Sequence, residues 1–532
     1  MQPAIKSTAL KRGRAAPKRG WRIPREANFL TIFWTICAFI AGYALYTSFD
    51  RPAAFTLAAL MVTALALFPS YLWCKGSVSG LPIFPVFCAT FIITHGFQLL
   101  VSYQMLATNS TDVIWRAVLT VCGFLLVGTL VWRACVAWPR AAPVACRVMR
   151  GGRGTALLLL IMGVTTVFTV VDHGGWLQAV PAGVFSAARG FIKGLNSFAV
   201  VVLAMRWGAR ALSPSNVTLF VVLFLSFVVV DIASLFLVVG IATSLMMAIG
   251  FAIGRKAVPW GMLVALVAIP SFLHFGKGQM RELYWGEGQG HIIQPWSLPG
   301  FFAEWIQTSA SQIISQRHSG EMTPSIFARA NTMDLLLQAQ RMSPEEVPFL
   351  HGATYSIIPD ALVPRVVHPG KISPHDSTSM LNIHYGNQTW EATQVTSIGW
   401  GMLNEAFANF GYAGCFGLAV ILGAFYGLMT RWSIGLPLTS LQSMVGIYTM
   451  SFAIQTEMTA AIFITAYLQG LFALLVLAFL FSERQRLKLA RAPGANRQSA
   501  ESARESGRKL TRRGHPAPRK PLTVVPPPHH HL

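Results

Sequence analysis

Charge is what this chain has least of. Only 12% of its 532 residues are Asp, Glu, Lys or Arg, against roughly 25% in soluble globular domains. So few charges cannot cover a water-exposed surface of this size, and 53% of the residues are hydrophobic. The composition excludes a soluble enzyme, and equally disorder, collagen and a disulfide scaffold. Acid is scarcer than base, with 20 Asp and Glu against 42 Lys and Arg. The seven cysteines (Cys37, Cys74, Cys88, Cys122, Cys135, Cys146 and Cys415) form no CxxC pair and read as small buried apolar residues. Walker loops, GxSxG, HExxH and a Rossmann fingerprint are all missing. The loop histidines lack metal-ligand spacing, so neither a metal nor another cofactor is expected.

What is present is a succession of apolar runs long enough to cross a bilayer, about 20 residues each. They cover roughly 28–48, 53–74, 81–106, 113–132, 154–172, 189–206, 217–232, 234–254, 257–275, 411–430, 434–456 and 458–482. The unbroken stretch 217–254 is flanked by Arg206 and Arg210 before it and Arg255 and Lys256 after it. Both flanks are therefore expected on one side, so the run crosses twice and turns near Asp231. The pattern predicts an all-α polytopic membrane protein of about twelve transmembrane helices with one large periplasmic loop. Twenty of the 42 cations lie in the tails, and 31 fall inside when the inside turns are added. Both termini are thus expected in the cytoplasm. Confinement of charge to tails and turns suits topology signals and anionic lipid rather than nucleic acid. The basic start is not a cleavable signal peptide, because the apolar run after it is too long.

The expected organisation is a basic cytoplasmic tail (1–27), nine helices (28–275), the external loop (276–400), three helices (401–482) and a basic disordered tail (483–532). The loop holds ten carboxylates, seven Lys and Arg and six histidines. Its recurring aromatics argue for folded structure. Phe301, Phe302, Trp305, Ile306, Ile313 and Ile314 trace one helical face, suiting a helix on the membrane surface. Thr323-Pro324 opens a second helix running to about Arg341. Ser343-Pro344-Glu345-Glu346 has capping-box spacing for a third. Pro359, Pro364, Pro369 and Pro374 then predict extended or looped chain.

Cations on the outer side are exceptions to the positive-inside rule. Arg116 stands near the end of the fourth span, and Arg189 and Lys193 share a helical face at i, i+4 spacing. They suit one anionic headgroup or plain snorkelling to lipid phosphates. The loop adds Lys277, Arg281, Arg317, Arg329, Arg341, Arg365 and Lys371, and arginine suits bidentate phosphate contacts. Asp231 falls near an interface. Glu405, in the run Gly401–Gly411, stands where the loop re-enters the bilayer. It is either a tuned general acid or base or a helix-start acid complementing the dipole.

Across about 325–414 the order of short elements resembles bacterial O-antigen and exopolysaccharide polymerases (the Wzy type), relatives of the O-antigen ligases. The elements are Phe327-Ala328-Arg329, His351-Gly352-Ala353-Thr354-Tyr355, Ile358-Pro359, Pro364-Arg365 with Lys371, Tyr385-Gly386, Thr396-Ser397 and Glu405…Asn409-Phe410-Gly411…Gly414. A tryptophan often found between the Arg and Lys elements is replaced here by His368. The resemblance implies a GT-C-like glycosyltransferase of the bacterial inner membrane. It would join undecaprenyl-diphosphate-linked oligosaccharide units at the periplasmic face, into O-antigen, capsule or exopolysaccharide, without nucleotide sugar or metal. The implied partners are the lipid-linked glycan, the bilayer, a chain-length regulator and a flippase. On this reading Arg329 and Arg365 are catalytic on the diphosphate with Glu405 as base or as positioner of Arg365. Arg281, Lys371, His368, His384, Tyr355, Arg189 and Lys193 bind substrate, and Asp376, His368 and His384 are further base candidates. A lipid-linked oligosaccharide transporter is the alternative of another class, and a ligase the sister activity.

Overall fold

The computed structural model describes residues 27–49, 52–102, 106–138, 145–149, 151–177, 180, 182–235, 237–257, 259–285, 293–319, 330–363, 367–368, 370–395 and 397–486. Residues 1–26 and 487–532 of the tails, Thr323-Pro324 and the elements holding Arg329 and Arg365 lie outside the described residues, as do the side chains of Lys193, Arg317 and His318, whereas 483–486, expected as disordered tail, belong to a strand.

The chain is mostly helical. Its long helices are α1 (Ala27–Ser48), α2 (Ala53–Cys74), α3 (Ile83–Val101), α4 (Thr111–Ala137), α5 (Gly151–His173), α6 (Ala182–Gly208), α7 (Pro214–Ala233), α8 (Leu237–Arg255), α9 (Trp260–Trp285) and α10 (Leu298–Ser319). The short α11 (Met333–Met342), α12 (Ile357–Leu362), α13 (Asp376–His384) and α14 (Trp390–Val395) follow, then α15 (Gly401–Ser433), α16 (Leu441–Ala453) and α17 (Ala460–Phe481). Two strands, β1 (Ala145–Met149) and β2 (Ser482–Arg486), pair with each other. Among the described residues, eight helices are long and apolar enough to cross a membrane, and parts of α6, α8 and α17 are shorter apolar helices. This is an all-α membrane protein in its broad architecture.

α15 packs most heavily on α4, with α3, α16 and α11 around that pair, while α6 takes α8, α17 and α5. Glycine makes both crossings close. A Cβ on Gly423 would lie 2.5 Å from the Gly128 carbonyl, and one on Gly250 would lie 2.5 Å from the Val201 carbonyl. Small residues at such crossings let helix backbones touch and gain dispersion contacts that lipid cannot supply. α3 carries a π turn at Ile92–Gly96, where one extra residue per turn re-aims its side chains.

Several expectations change. α16 spans only 13 residues, roughly 20 Å, short of the ~30 Å hydrocarbon. Gly435 (φ +76) precedes it and the Ser440 hydroxyl caps it by accepting from Ser443 N, so the apolar run from 434 opens as a turn. α7 and α8 are separated at Ser234 and Leu235 (φ +61), close to Asp231. α9 continues ten residues past 275, and α10 folds back along it, with Ile306 and Ile314 of the expected face exposed. Trp305 is fully buried with its Nε1 donating to Leu273 O (2.8 Å), and Gly276 N donates to Ser309 Oγ (3.2 Å). The aromatic face of α10 is thus covered by protein. Ser343 starts no helix, because its N–H still closes α11 on Ala339 O (2.9 Å) and its hydroxyl shares a hydrogen bond with Tyr385 (2.8 Å). Within the proline-rich stretch only Pro359 falls in a helix, α12; residues 370–375 are turn and loop as expected, and α13 starts after Pro374. Pro359 is tolerated in the first turn of α12, where its missing N–H costs no helical bond.

Two predictions follow from this packing. Gly423→Leu forces the Gly128 backbone away and should cost about 1–3 kcal/mol or more. Gly163→Leu, which has nothing within 4 Å, should be tolerated, and thermostability by size-exclusion chromatography in detergent reads both. Asp334 of α11 has its carboxyl pushed above the usual range by burial, with Arg341 opposing. An acid so raised binds its proton more tightly when folded, so stability falls as pH rises from the ordinary carboxylate range through the raised value. Asp334→Asn should therefore melt higher than the parent at pH 7, with the gap closing near pH 4.

Candidate functional site

Glu405 stands in the first arm of a broken helix. α15 begins at Gly401 (φ +74), whose N–H donates to Glu457 O (3.0 Å). A Cβ there would lie 2.7 Å from Thr456 O, so only glycine starts the arm at this place. Nine residues later the helix fails at Phe410 (φ −138, ψ 15) and Gly411 (φ 59, ψ −145). The Gly411 conformation is open essentially to glycine alone. Beyond it the chain doubles back, for Cys415 Sγ comes within 3.8 Å of Leu403 O. Twelve residues along a straight helix would separate them by roughly 18 Å.

A break inside an apolar bundle leaves carbonyls without partners. The loop after α11 supplies them. Leu350 N donates to Ala408 O (3.0 Å) and His351 N to Asn409 O (3.1 Å). The Asn409 side chain completes the seam. Its Oδ1 accepts from Gly352 N (2.9 Å), and its Nδ2 donates to Thr354 Oγ1 (2.9 Å) and Glu405 O (2.8 Å). Gly352 (φ +93) adopts a backbone conformation that favours glycine, and a Cβ there would press on the Phe410 ring at 3.2 Å.

The Glu405 side chain is fully enclosed, and its Oε2 accepts from Ala460 N (2.6 Å), the first residue of α17. A carboxylate at a helix N-terminus satisfies an orphan N–H and complements the dipole. The N-cap residue of α17, Thr459, makes no capping bond, because its hydroxyl is shared with Ser377 (2.7 Å) and Thr378 (3.3 Å) of α13. Glu405 therefore does from another helix what the cap would ordinarily do. Its Oε1 has no close hydrogen-bond donor among the described residues, although the Thr354 hydroxyl interacts with the carboxylate. On the same arm Asn404 Nδ2 donates to Thr332 O (2.8 Å) and Trp400 O (2.9 Å). Trp400 Nε1 donates to Asn382 Oδ1 (2.7 Å), and its ring packs on Tyr385 at 4.9 Å.

The other expected site residues divide. Tyr355 joins the assembly, half-buried and stacked parallel on Phe410 (6.0 Å, 7°). Burial pushes its phenol well above the ordinary range, and the nearby Glu405 charge adds to this. Lys371 donates to Ala361 O at the end of α12, while Ile372 N donates to Asp360 Oδ2 (2.9 Å). His368 is exposed, and His384 Nε2 is engaged with Pro348 O (2.8 Å). The Asp376 carboxylate accepts from Ser373 N (3.0 Å) at the start of α13, and burial lowers the pKa of the neighbouring His375, with the Asp376 charge opposing. Arg281 instead donates to Leu235 O (3.0 Å) in the α7–α8 turn, and Arg189 sits 3.7 Å from Asp172. These two cations hold other helices and are not joined to the Glu405 assembly by these bonds.

Asn409 and Thr354 stand in the elements of the resemblance but were given no role there, and the buried His95 of α3 was passed over. The signals were a pair of asparagines on the Glu405 arm and one histidine inside an otherwise apolar span. Compared with protein-family models, curated proteins and solved structures, the chain matches none.

Asn409→Ala removes three bonds of the seam and leaves Gly352 N–H unmet. Amide exchange over 350–355 should accelerate by one to two orders of magnitude, matching about 1–3 kcal/mol. Unchanged protection in hydrogen–deuterium exchange would show that the seam does not hold this loop.

Proposed function

We propose that this chain is a glycosyltransferase that joins undecaprenyl-diphosphate-linked oligosaccharide units into a surface polysaccharide at the periplasmic face of the bacterial inner membrane. One observation carries the reading: the separate segments 351–355 and 404–411, which hold much of the resemblance to the polymerases, are stitched together around a buried carboxyl group. Distant stretches of chain meeting at a half-satisfied buried acid are what a reaction site requires, since such a group lowers stability and is kept for another reason.

In this reaction an acceptor hydroxyl attacks the anomeric carbon of the donor. The bond to the diphosphate breaks with its electron pair leaving on phosphate oxygen, and the hydroxyl proton passes to a base. Guanidinium groups stabilise the charge growing on the diphosphate, the role proposed for Arg329 and Arg365. Full enclosure and the bond to Ala460 N favour Glu405 as the positioning residue, fixing the broken arm against α17, over a base that meets substrate directly. Tyr355 offers a ring for sugar stacking beside it. Lys371 caps α12, a few residues from Arg365 in sequence.

A transporter of the same lipid-linked glycan is the second reading, favoured by the broken helix, since discontinuous helices line many transport paths. The test is full-length protein in nanodiscs with an undecaprenyl-diphosphate repeat unit and no added nucleotide. A glycan ladder is expected, falling about 10²–10³-fold in Arg365→Ala and markedly in Glu405→Gln while both variants remain folded. Transbilayer movement of the lipid in sealed vesicles without a ladder would overturn the enzyme. A single transfer to a lipid or protein acceptor would point to a ligase. A ladder untouched by either substitution would discard these residues.

A further inference from the structure

Where α3 meets the first arm of α15 there is a small internal cavity. It is lined by Phe87, Phe91, His95, Phe124, Thr332 and Asn404, among others. Its walls are aromatic, yet two acceptors with incomplete partners border it, and each can be assigned by counting hydrogens.

The first is Asn404 Oδ1. The amide orientation is fixed because Nδ2 donates to two carbonyls, Thr332 O and Trp400 O. The oxygen therefore faces away from them, and it accepts no hydrogen bond among the described residues although Asn404 is 1% exposed. The second is His95 Nε2. The Thr94 hydroxyl donates to Thr90 O (3.1 Å), so its oxygen can only accept from His95 Nδ1–H at 2.8 Å. That leaves Nε2 as an acceptor with only one long contact to a donor. The nearest donor, Thr332 Oγ1, is 3.5 Å away and stands equally near Thr94 O (3.4 Å), distances at the far edge of hydrogen bonding. His95 is 3% exposed and stacked on Phe91 at 4.8 Å, so the ring cannot turn to find another partner.

Two acceptors and a hydroxyl around one small space call for a molecule with two donors and one acceptor. We infer that this cavity is a binding site for a single water, which donates to His95 Nε2 and Asn404 Oδ1 and accepts from the Thr332 hydroxyl. The room available, about 10 Å³, is at the lower limit of what one water occupies. The site ties the π turn of α3 to the broken arm one residue before Glu405. A water that gives Asn404 Oδ1 its missing donor and His95 Nε2 a closer one stabilises the junction of these two helices.

The inference does not depend on the reaction proposed above. It is tested first on the native protein, by electron cryomicroscopy of the nanodisc-embedded chain at a resolution that shows ordered solvent. One peak within 3.2 Å of both His95 Nε2 and Asn404 Oδ1 is expected, and a site without density would overturn the inference. The second measurement is a double-mutant cycle on melting temperature with His95→Phe, which keeps the stack on Phe91, and Asn404→Leu. Each single change strands the water and one acceptor, while the double change removes the need for it. The double variant should therefore melt higher than the sum of the single losses predicts, whereas strict additivity would overturn the coupling through a shared water.

Discussion

A helix that breaks inside an apolar bundle must find new partners for its backbone, and this requirement organises the region around Glu405. At Phe410 and Gly411 the i→i−4 ladder stops, and the carbonyls of Ala408 and Asn409 lose their normal donors. The two N–H groups that replace them belong to Leu350 and His351, some sixty residues earlier in the chain. Once that seam is made, the order of the loop is largely settled. Gly352 must lie under Phe410, Tyr355 must stack on its other side, and α12 must follow within a few residues.

The opposite end of the same arm obeys a similar logic. Gly401 brings the chain against the loop at Thr456 and Glu457 so closely that no side chain fits, and one turn later Glu405 reaches the first N–H of α17. The Thr459 hydroxyl is then available to Ser377 and Thr378, which docks α13. A single carboxylate thus links the broken helix, the start of α17 and the loop helix α13. It does so with one of its two oxygens. The other is left without a close donor, and geometry this demanding around a half-satisfied group is more readily understood as serving a reaction or a transport step than as serving the fold.

The large features were legible because the bilayer imposes them. Length and hydropathy located the long helices, and the arginines flanking 217–254 were sufficient to place a turn near Asp231. Where the reading failed, tertiary contact had replaced the local signal. Phe301 and Trp305 make an apolar face that fits a membrane surface as well as it fits α9, and only the absence of a side chain at Gly276 decides between them. Ser343 has the spacing of a helix start, but its hydroxyl is claimed by Tyr385. Asn409 could not be singled out, because its three bonds join segments that only the folded chain brings together. Glu405 was legible as a special carboxyl; its partner, the Ala460 amide, was not, since backbone donors leave no mark in a sequence.

The cations show why residue type alone does not define an anion site. Arginine and lysine on the outer side were read as phosphate ligands, yet Arg281 secures the α7–α8 turn, Arg189 neutralises Asp172 and Lys371 closes α12. A guanidinium that already donates to a carbonyl can still receive a ligand on its remaining N–H groups. It brings less free charge to that ligand when a carboxylate stands beside it, as with Arg189. In the proposed reaction the leaving diphosphate is therefore best served by cations on segments tied to the Glu405 assembly. Two fit by connection along the chain: Arg329, three residues before the Thr332 whose carbonyl holds Asn404, and Arg365, between the Ala361 and Lys371 that lock each other. A cation on a short tether is preorganised by its anchors, and electrostatic catalysis depends on such preorganisation more than on the number of charges nearby.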